Sequence, residues 1–216
     1  FNESIKDSEL DNLTIDILEK IIDDNISEGI LKEIPILNTI KTIWNVKNNI
    51  SEYLFTKKII HFINKIKDIP KSKRLEMINK IDNDDNYKTK VGEKLIFLIN
   101  KADDIEKSEI IGLLFKKFLN EEISYHTFIR FSKVIDISID EELEFFTNYL
   151  DDKIEVDRGS HYISLNLYDI KFNDPKLIEE ENLHSYTEGY KYTLEELDIY
   201  AEINNYGKQL RNILKE

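Results

Sequence analysis

Helix-breaking residues are scarce in this chain. Six glycines and three prolines interrupt 216 residues, whereas a β-sandwich of this length needs roughly one turn every ten residues. Hydrophobic residues make up 41% of the sequence, which is enough to bury a core that offsets the conformational entropy lost on folding. The sequence therefore predicts a mainly α-helical protein with long helices and short loops.

The first 151 residues carry apolar side chains at every third or fourth position, the spacing of one helix face. This spacing predicts helices over Asp11–Asp24, over Ile30–Ile50 with a break near Pro35, over Ser51–Ile66, over Ser72–Lys80, from about Asp84 to Ala102, from Ser108 to Phe118, from Ser124 to Ile135 and over Asp140–Asp151. Proline breaks the pattern because it lacks a backbone N–H and clashes with the preceding turn. Ser108 and Ser124 are the expected N-caps. We expect residues 1–151 to form one domain, an irregular helical bundle.

Residues 152–216 differ in texture, because tyrosine and β-branched residues cluster there. Alternating patterns in residues 161–168 and 189–194 predict two short strands. Between them, Pro175 followed by acidic residues is typical of a helix N-terminus. A last helix is predicted from about Ile203 to Leu214. These residues are therefore predicted to form a small acidic α/β unit.

Charge is distributed unevenly along the sequence. The net charge is −13, but Tyr53–Lys80 contains eight Lys or Arg and two acidic residues, whereas Asp136–Glu202 contains nineteen acidic residues and five Lys or Arg. An acidic protein is repelled by nucleic acid and by anionic lipid unless a local basic face overrides the far field. Cysteine is absent, which excludes disulfides and thiolate chemistry and favours a reducing cytoplasm.

Short motifs recur in the region Glu28–Ile81. They are Ile34-Pro35, Leu54-Phe55-Thr56-Lys57-Lys58, and Ile69-Pro70 followed by Arg74. This pattern resembles an uncharacterised bacterial family of small helical proteins, and the similarity continues through Val91-Gly92-Glu93-Lys94 and Ile123-Ser124-Tyr125. Members of that family look like accessory genes of mobile elements and phage-defence neighbourhoods. The resemblance implies an accessory protein of that kind, but it carries over no activity and no functional residue.

The last segment, from about Tyr186 to Lys215, is similar to the end of many winged-helix domains. Two helix motifs carry the similarity, Thr193-Leu194-Glu195-Glu196-Leu197 and Tyr206-Gly207-Lys208-Gln209-Leu210. A winged helix that reads DNA presents Lys and Arg to the phosphates, whereas this segment carries mostly acidic residues. The resemblance therefore implies a winged-helix-like unit that contacts protein in preference to DNA.

One stretch has the spacing of a calcium-binding loop. Four side chains fall at positions 1, 3, 5 and 12 of an EF-hand loop, namely Asp82, Asp84, Asn86 and Glu93. Tyr87 occupies the position where that loop needs glycine, and Lys88 and Lys90 would place cations beside the ion. The favoured interpretation is a polar turn that caps a helix beginning near Asp84, and no metal site is predicted.

Catalytic motifs are not evident in the sequence. The histidines are far apart and match no metal-ligand spacing: His61, His126, His161 and His184. For His61 the favoured interpretation is a half-buried structural histidine, and a ligand or general base is the alternative. No glycine-rich phosphate loop and no Gly-x-Ser-x-Gly motif occurs. The sequence predicts a protein without enzymatic activity and without a cofactor.

The basic stretch is the predicted interaction surface. Its candidate residues are Lys57, Lys58, Lys65, Lys67, Lys71, Lys73 and Arg74, which helical spacing can place on one face. An anionic partner is implied, and nucleic acid, a phospholipid surface and the protein's own acidic tail all qualify. Because the tail is always present at high effective concentration, complementarity to the tail or to a partner protein is favoured over nucleic acid.

The segment Ile30–Ile50 is a second candidate surface. Its apolar face, with Trp44 and interspersed lysines, suits either a core helix or an amphipathic helix in a membrane interface. The core helix is favoured, because the polar face lacks strong Lys and Arg enrichment. The leading hypothesis is a non-enzymatic protein-interaction module, an accessory of phage defence or of a mobile element. The alternatives are a membrane-active effector that uses Ile30–Ile50 and a nucleic-acid-binding regulator that uses Lys57–Arg74.

Overall fold

A computed structural model describes residues 1–7, 10, 50–181, 190–194 and 196–216. The protein is mainly helical and has a small antiparallel sheet in its C-terminal part, as the sequence predicts. The helix predicted over Asp11–Asp24, most of the segment Ile30–Ile50 and Trp44 lie outside the described residues. The chain divides into a helical unit, Phe1–Ile139, and a C-terminal unit, Asp140–Glu216.

The described residues of the helical unit form α1 (Asn2–Asp7), α2 (Ile50–Ile66), α3 (Lys71–Asp82), α4 (Val91–Lys101), α5 (Ile105–Leu119) and α6 (Tyr125–Ile137). Helix α2 packs along α5, and the two helices approach closely at Gly112, where a Cβ atom would lie 2.9 Å from the carbonyl oxygen of Phe62. Aromatic rings fill the core between α2, α5 and α6. Phe115 lies 5.7 Å from Phe62 and 5.3 Å from Phe128, centroid to centroid.

Of the two predicted N-caps, one is confirmed and the other is wrong. Ser124 caps α6 as predicted, by accepting a hydrogen bond from the backbone N–H of Thr127 at 3.0 Å. Helix α5 is capped by Asp104 instead of Ser108, which is buried in the first turn and donates to the Ile105 carbonyl. A carboxylate at this N-cap accepts the orphan N–H three residues on, so the helix starts one turn earlier than expected.

The helix predicted from about Asp84 begins only at Val91. Local side-chain hydrogen bonds explain the delay. The carboxylate of Asp84 accepts from the backbone N–H of Asn86 at 2.9 Å, which closes a turn. Further on, the carboxylate of Asp82 accepts from the Val91 N–H at 2.8 Å. The polar turn is therefore present as predicted. It precedes α4, however, instead of forming the first turn of that helix.

The described part of the C-terminal unit contains α7 (Asp140–Asn148), β1 (Lys153–Glu155), α8 (Val156–Ser164), β2 (Tyr168–Phe172), β3 (Leu177–Glu181), β4 (Tyr190–Leu194), β5 (Ile199–Ile203) and α9 (Asn205–Leu214). The strands form a three-stranded antiparallel sheet in the order β1-β5-β2 and a two-stranded antiparallel sheet of β3 and β4. Helix α7 contacts α9. The division between units therefore falls before Asp140, whereas the sequence analysis placed it after Asp151.

Three local predictions in this unit are wrong, and two are confirmed: the strand predicted over residues 189–194, which is β4, and the last helix. Residues 161–164, predicted as strand, continue α8, because Gly159 lets this helix pack closely on Ala201 of the sheet. The stretch after Pro175 forms β3 instead of a helix, and Thr193-Leu194 lies in β4 instead of a helix. Both strands form because they pair with each other, a non-local interaction that overrides local preference. Helix α9 is confirmed, with Asn204 as its N-cap.

The two sheets of the C-terminal unit share one register. Phe172 of β2 pairs with Ile199 of β5, and Leu177 of β3 pairs with Leu194 of β4. Four residues therefore lie between the two pairings on each of the two chain segments. Asn173 continues the pairing, because its N–H donates to the Asp198 carbonyl at 3.1 Å and its side chain accepts from the Asp198 N–H at 2.8 Å. Pro175 follows, and proline cannot donate to a ladder.

Candidate interaction surface

The lysines of the predicted basic surface lie on α2, on α3 and in the turn that joins these helices. Several of them have partners within the helical unit. The ammonium group of Lys58 donates to the carbonyl of Ala102 at 2.5 Å. Lys57 lies over the Tyr53 ring, 5.0 Å from its centroid. These contacts reduce the number of basic side chains that a second molecule could engage.

Arg74 is not a surface residue. Its side chain is buried, with 1% of its surface exposed. Its Nε donates to the Ile5 carbonyl at 3.0 Å, and its Nη1 donates to the Ile69 carbonyl. Arg74 therefore joins α1 to the end of the α2–α3 turn, and its assignment to the interaction surface is corrected. The physical reason is that a guanidinium can be buried when backbone carbonyls accept its hydrogen bonds.

Glu109 of α5 neutralises part of the basic stretch. His61 Nδ1 lies 2.6 Å from one oxygen of this carboxylate, and Lys65 Nζ lies 2.9 Å from the other. Burial acts to raise the pKa of Glu109, but the hydrogen bonds from His61 and Lys65 outweigh it and hold that pKa below its ordinary value. His61 thus takes part in a half-buried ion-pair network between α2 and α5.

The carboxylate of Asp82 joins α1, α3 and α4. It receives the Lys6 ammonium at 2.7 Å, the Asn2 side-chain amide at 2.9 Å and the Val91 N–H. Burial acts to raise the pKa of Asp82, but these hydrogen bonds prevail and lower it. The first position of the calcium-like loop is therefore occupied by internal donors. Within the part of the chain that the structure describes, no group of three or more His, Asp or Glu residues could hold a metal ion.

A different surface stands out in the C-terminal unit. Ile170 and Phe172 of β2 and Ile199 of β5 leave 52%, 65% and 51% of their surfaces exposed. We refer to these three residues as the apolar patch. They lie on the same face of the sheet as Tyr168 and Ala201, which are buried, because side chains two residues apart share a face. The apolar patch is thus an uncovered continuation of a core face.

The length of α8 explains why the apolar patch is uncovered. Helix α8 contacts all three strands of the sheet and buries Ile154 and Ala201. It has nine residues, so it extends only about 13 Å along the sheet. The sheet continues past the end of this cover toward Phe172. Further apolar side chains of the same unit are also exposed, namely Leu177, Ile178 and Leu197.

The apolar patch belongs to a strongly acidic unit. The sequence from Asp140 to Glu216 contains nineteen Asp or Glu and eight Lys or Arg, which gives a net charge of −11. Between Tyr168 and Ile203 there are ten acidic residues and three lysines. Asp174 and Asp198, which follow and precede the patch residues along the chain, are exposed. Apolar side chains are therefore presented in a field that attracts cations.

A polar network around Arg211 anchors the first residue of β2, on the same face of the sheet as the patch. Arg211 of α9 donates to the hydroxyl of Tyr168 at 2.6 Å and to the carboxylate of Asp152 at 2.6 Å. The Tyr168 hydroxyl donates to the Asp151 carbonyl at 2.6 Å, and the guanidinium lies 4.9 Å from the Phe146 ring centroid. Burial raises the pKa of Tyr168, although Arg211 opposes the rise. The patch is therefore carried by a strand anchored through hydrogen bonds.

Sequence reasoning did not identify the apolar patch. The signal was available, since apolar residues alternate in both strands, at Tyr168, Ile170 and Phe172 and again at Ile199 and Ala201. Such alternation normally marks a face that is buried in the core. Whether a given residue on that face is covered depends on where the opposing helix ends, which is a tertiary property.

Comparisons with protein-family models, with curated proteins and with solved structures give no match for this chain. The search for membrane-spanning segments is also negative within the described ranges, where no helix combines the length and the apolar character that crossing a bilayer requires.

Proposed function

We propose that this protein is a non-enzymatic protein-interaction module, and that its C-terminal unit binds a basic segment of a partner protein through the apolar patch. One observation carries the proposal. Ile170, Phe172 and Ile199 are each more than half exposed on a sheet face that is otherwise buried. Contiguous exposed apolar surface with a polar rim is typical of protein interaction sites.

Covering the patch supplies part of the free energy that a specific contact needs. Complete burial of one Ile or Phe side chain contributes about 1.5–3 kcal/mol, so covering the exposed halves of three side chains contributes roughly 3 kcal/mol. The acidic surroundings add long-range attraction for a basic segment and raise its association rate. A partner that combines apolar and cationic side chains uses both contributions.

The nucleic-acid alternative has less support. Arg74 is buried, Lys65 is paired with Glu109, and Lys58 is bound to a backbone carbonyl. The membrane alternative relies on Ile30–Ile50, nearly all of which lies outside the described residues. A cytoplasmic role as an accessory of phage defence or of a mobile element stays part of the proposal, supported by the absence of cysteine and by the sequence resemblance.

Binding of a defined peptide tests the proposal. The probe is a short fluorescent peptide that alternates Lys and Val, and the readout is fluorescence anisotropy with the full chain. We expect salt-sensitive binding that weakens at least about tenfold, or 1.4 kcal/mol, in the double variant F172D/I199D. A peptide that alternates Glu and Val should not bind.

The matched control is Phe97→Asp. Phe97 is 56% exposed on α4. It belongs to the helical unit, so this variant removes an exposed aromatic side chain that is not part of the proposed surface. It should bind the Lys/Val peptide as the wild type does. Absence of binding by the wild type, or equal binding by F172D/I199D, would overturn the proposed function.

A further inference from the structure

Strand β2 forms one edge of its sheet. Among the described residues the strand order is β1-β5-β2, so within this part of the chain β5 is paired on both sides and β2 on one side only. The N–H of Asn173 donates to Asp198, and the N–H of Asn204 donates to the Leu167 carbonyl. In an antiparallel ladder the inward-pointing residues alternate, so residues 167, 169, 171 and 173 face β5. The backbone groups of Ile170 and Phe172 therefore point outward from the sheet.

Within the part of the chain that the structure describes, these outward groups make no hydrogen bond, and neither Ile170 nor Phe172 has a further polar contact there. Two backbone N–H donors and two carbonyl acceptors are therefore presented at the edge. The same two residues carry the most exposed side chains of the apolar patch on β2. Unpaired backbone groups and exposed apolar side chains thus occur at the same two residues. Strand addition uses this arrangement, because main-chain hydrogen bonds to the added strand give affinity and pockets for its alternate side chains give specificity.

The available edge is short and has defined ends. Tyr168 is buried at one end, and Pro175 follows shortly after Asn173 at the other. Five residues of β2 correspond to about 17 Å of strand. Lys171 lies between the two apolar residues and projects from the opposite face, where a charged side chain discourages indiscriminate edge pairing. The edge accepts a short strand with apolar side chains on one face.

Charge decides between the two candidate occupants. A second copy of this chain would bring a unit of net charge −11 against another of the same charge, and like charges at an interface oppose association. A Lys- or Arg-rich segment is attracted by the same field. A cationic strand can place apolar side chains over Ile170 and Phe172, while its cations lie on the opposite face, beside Asp169 and Lys171, and are attracted by the net charge of the unit.

We propose that β2 accepts an extended, Lys- or Arg-rich segment of a partner protein as an additional strand, paired with the outward backbone groups of Ile170 and Phe172. This inference rests on the proposed function and specifies its binding mode. It implies that recognition requires a partner segment that is extended, and that a basic helix of the same composition binds less well.

Amide hydrogen exchange of the full chain, followed by NMR, tests the mode directly. With the Lys/Val peptide bound, exchange at the amides of Ile170 and Phe172 should slow at least about tenfold, since an added strand hydrogen-bonds these groups. Lys171 is the internal reference, because its N–H faces β5 and is paired with Tyr200 in the free protein. Its exchange should change much less. The NMR spectrum also reports whether the protein is folded.

Backbone-methylated peptides provide the second arm. One version carries N-methyl groups on the Val amides, and the other carries them on the Lys amides. Antiparallel addition directs the Val amides toward β2, and parallel addition directs the Lys amides toward it. One version should lose binding at least tenfold, while the other binds as the unmodified peptide does. If both methylated peptides lose binding, or if both bind as the unmodified peptide does, the result contradicts strand pairing.

The outcomes separate the binding mode from the proposed function. Peptide binding that F172D/I199D weakens, without slowed exchange at Ile170 and Phe172, would overturn strand addition and leave the proposed function standing. Failure of the peptide to bind would overturn both. Dimerisation of the free protein that F172D abolishes, seen by analytical ultracentrifugation, would identify a second copy as the occupant and overturn the inference.

Discussion

Phe172 and Ile199 lie directly opposite each other in the β2–β5 pairing, and each leaves more than half of its surface exposed. Two residues further along the same face, Ala201 is buried beneath α8. The transition from covered to uncovered surface takes place within one strand. On this face of the sheet, the covered residue Ala201 contributes to folding, whereas the exposed residues Phe172 and Ile199 are available for binding.

Phe172→Ser should therefore affect binding more than stability. The side chain is 65% exposed, and substitutions at such positions usually change the free energy of unfolding by less than about 0.5 kcal/mol. We expect an unchanged melting temperature and weaker binding of the Lys/Val peptide. Ala201→Asp at the covered end of the same face should instead lower the melting temperature strongly. Comparable thermal destabilisation by both changes would contradict the described exposure.

Arg211→Lys should destabilise the C-terminal unit. The guanidinium bonds both Tyr168 and Asp152 and lies over the Phe146 ring, and an ammonium group cannot keep all three contacts. We expect a loss of roughly 2 kcal/mol, since buried hydrogen bonds to charged groups contribute about 1.5–3 kcal/mol each. Near-UV circular dichroism during urea unfolding measures the loss. Exposed Lys208→Arg on the same helix is the control and should unfold as the wild type does.

Gly207→Ala should be more damaging than an ordinary helix substitution. A Cβ atom at position 207 would lie 2.2 Å from the Leu167 carbonyl oxygen, so α9 would have to move away from the β2 side of the unit. We expect destabilisation of at least about 2 kcal/mol, in the range of overpacked sites. Asn212→Ala, at an exposed position of the same helix, should change stability little. Equal urea midpoints for the two variants would count against this packing.

Acid should weaken the helical unit through Asp82. The pKa of this carboxyl is lowered in the folded state from an ordinary value of 3.8, so its stabilising contribution is complete above that value and declines as the pH falls through the lower folded pKa. Asp82→Asn should remove this part of the pH dependence. It should also cost roughly 3 kcal/mol at neutral pH, because the buried Lys6 ammonium loses the carboxylate at 2.7 Å and keeps the more distant Glu3 at 3.5 Å.

Urea unfolding of the wild type and of Asp82→Asn between pH 6 and pH 3 measures both effects. The stability difference between the two proteins should shrink as the pH falls. Asp85→Asn is the control, since Asp85 lies in the neighbouring turn and is exposed. A constant difference across the pH range would show that Asp82 contributes no pH-dependent stability.

Local patterns were sufficient for most of the helices. The predicted boundaries of α2 and α9 agree with the structure to within one or two residues, because each combines a helical apolar repeat with a clear terminus. The Ser124 cap was predicted for the same reason. Where short polar side chains offered a competing turn, as at Asp84, the helix began later than the pattern indicated.

Pairing and burial depend on the tertiary structure. Leu177 and Ile178 follow a proline and precede acidic residues, which locally favours a helix, but they pair with Leu194 and Thr193 as strands. Arg74 belongs to a basic sequence run, yet carbonyls from α1 and from the α2–α3 turn hold it inside the unit. Neither outcome can be read from neighbouring residues, because the deciding partners are distant along the chain.

The sequence by itself determined the helical class, the acidic C-terminal unit and the alternating apolar residues of β2 and β5, since composition and periodicity act over a few neighbouring positions. Only the tertiary structure decided which of these apolar residues are covered. Helix α8 is too short to cover the whole sheet, and β2 lies at its edge. Ile170 and Phe172 consequently present their side chains and backbone groups to solvent. The reason is that burial of these residues depends on where α8 ends and on which strands pair, and both involve residues distant along the chain.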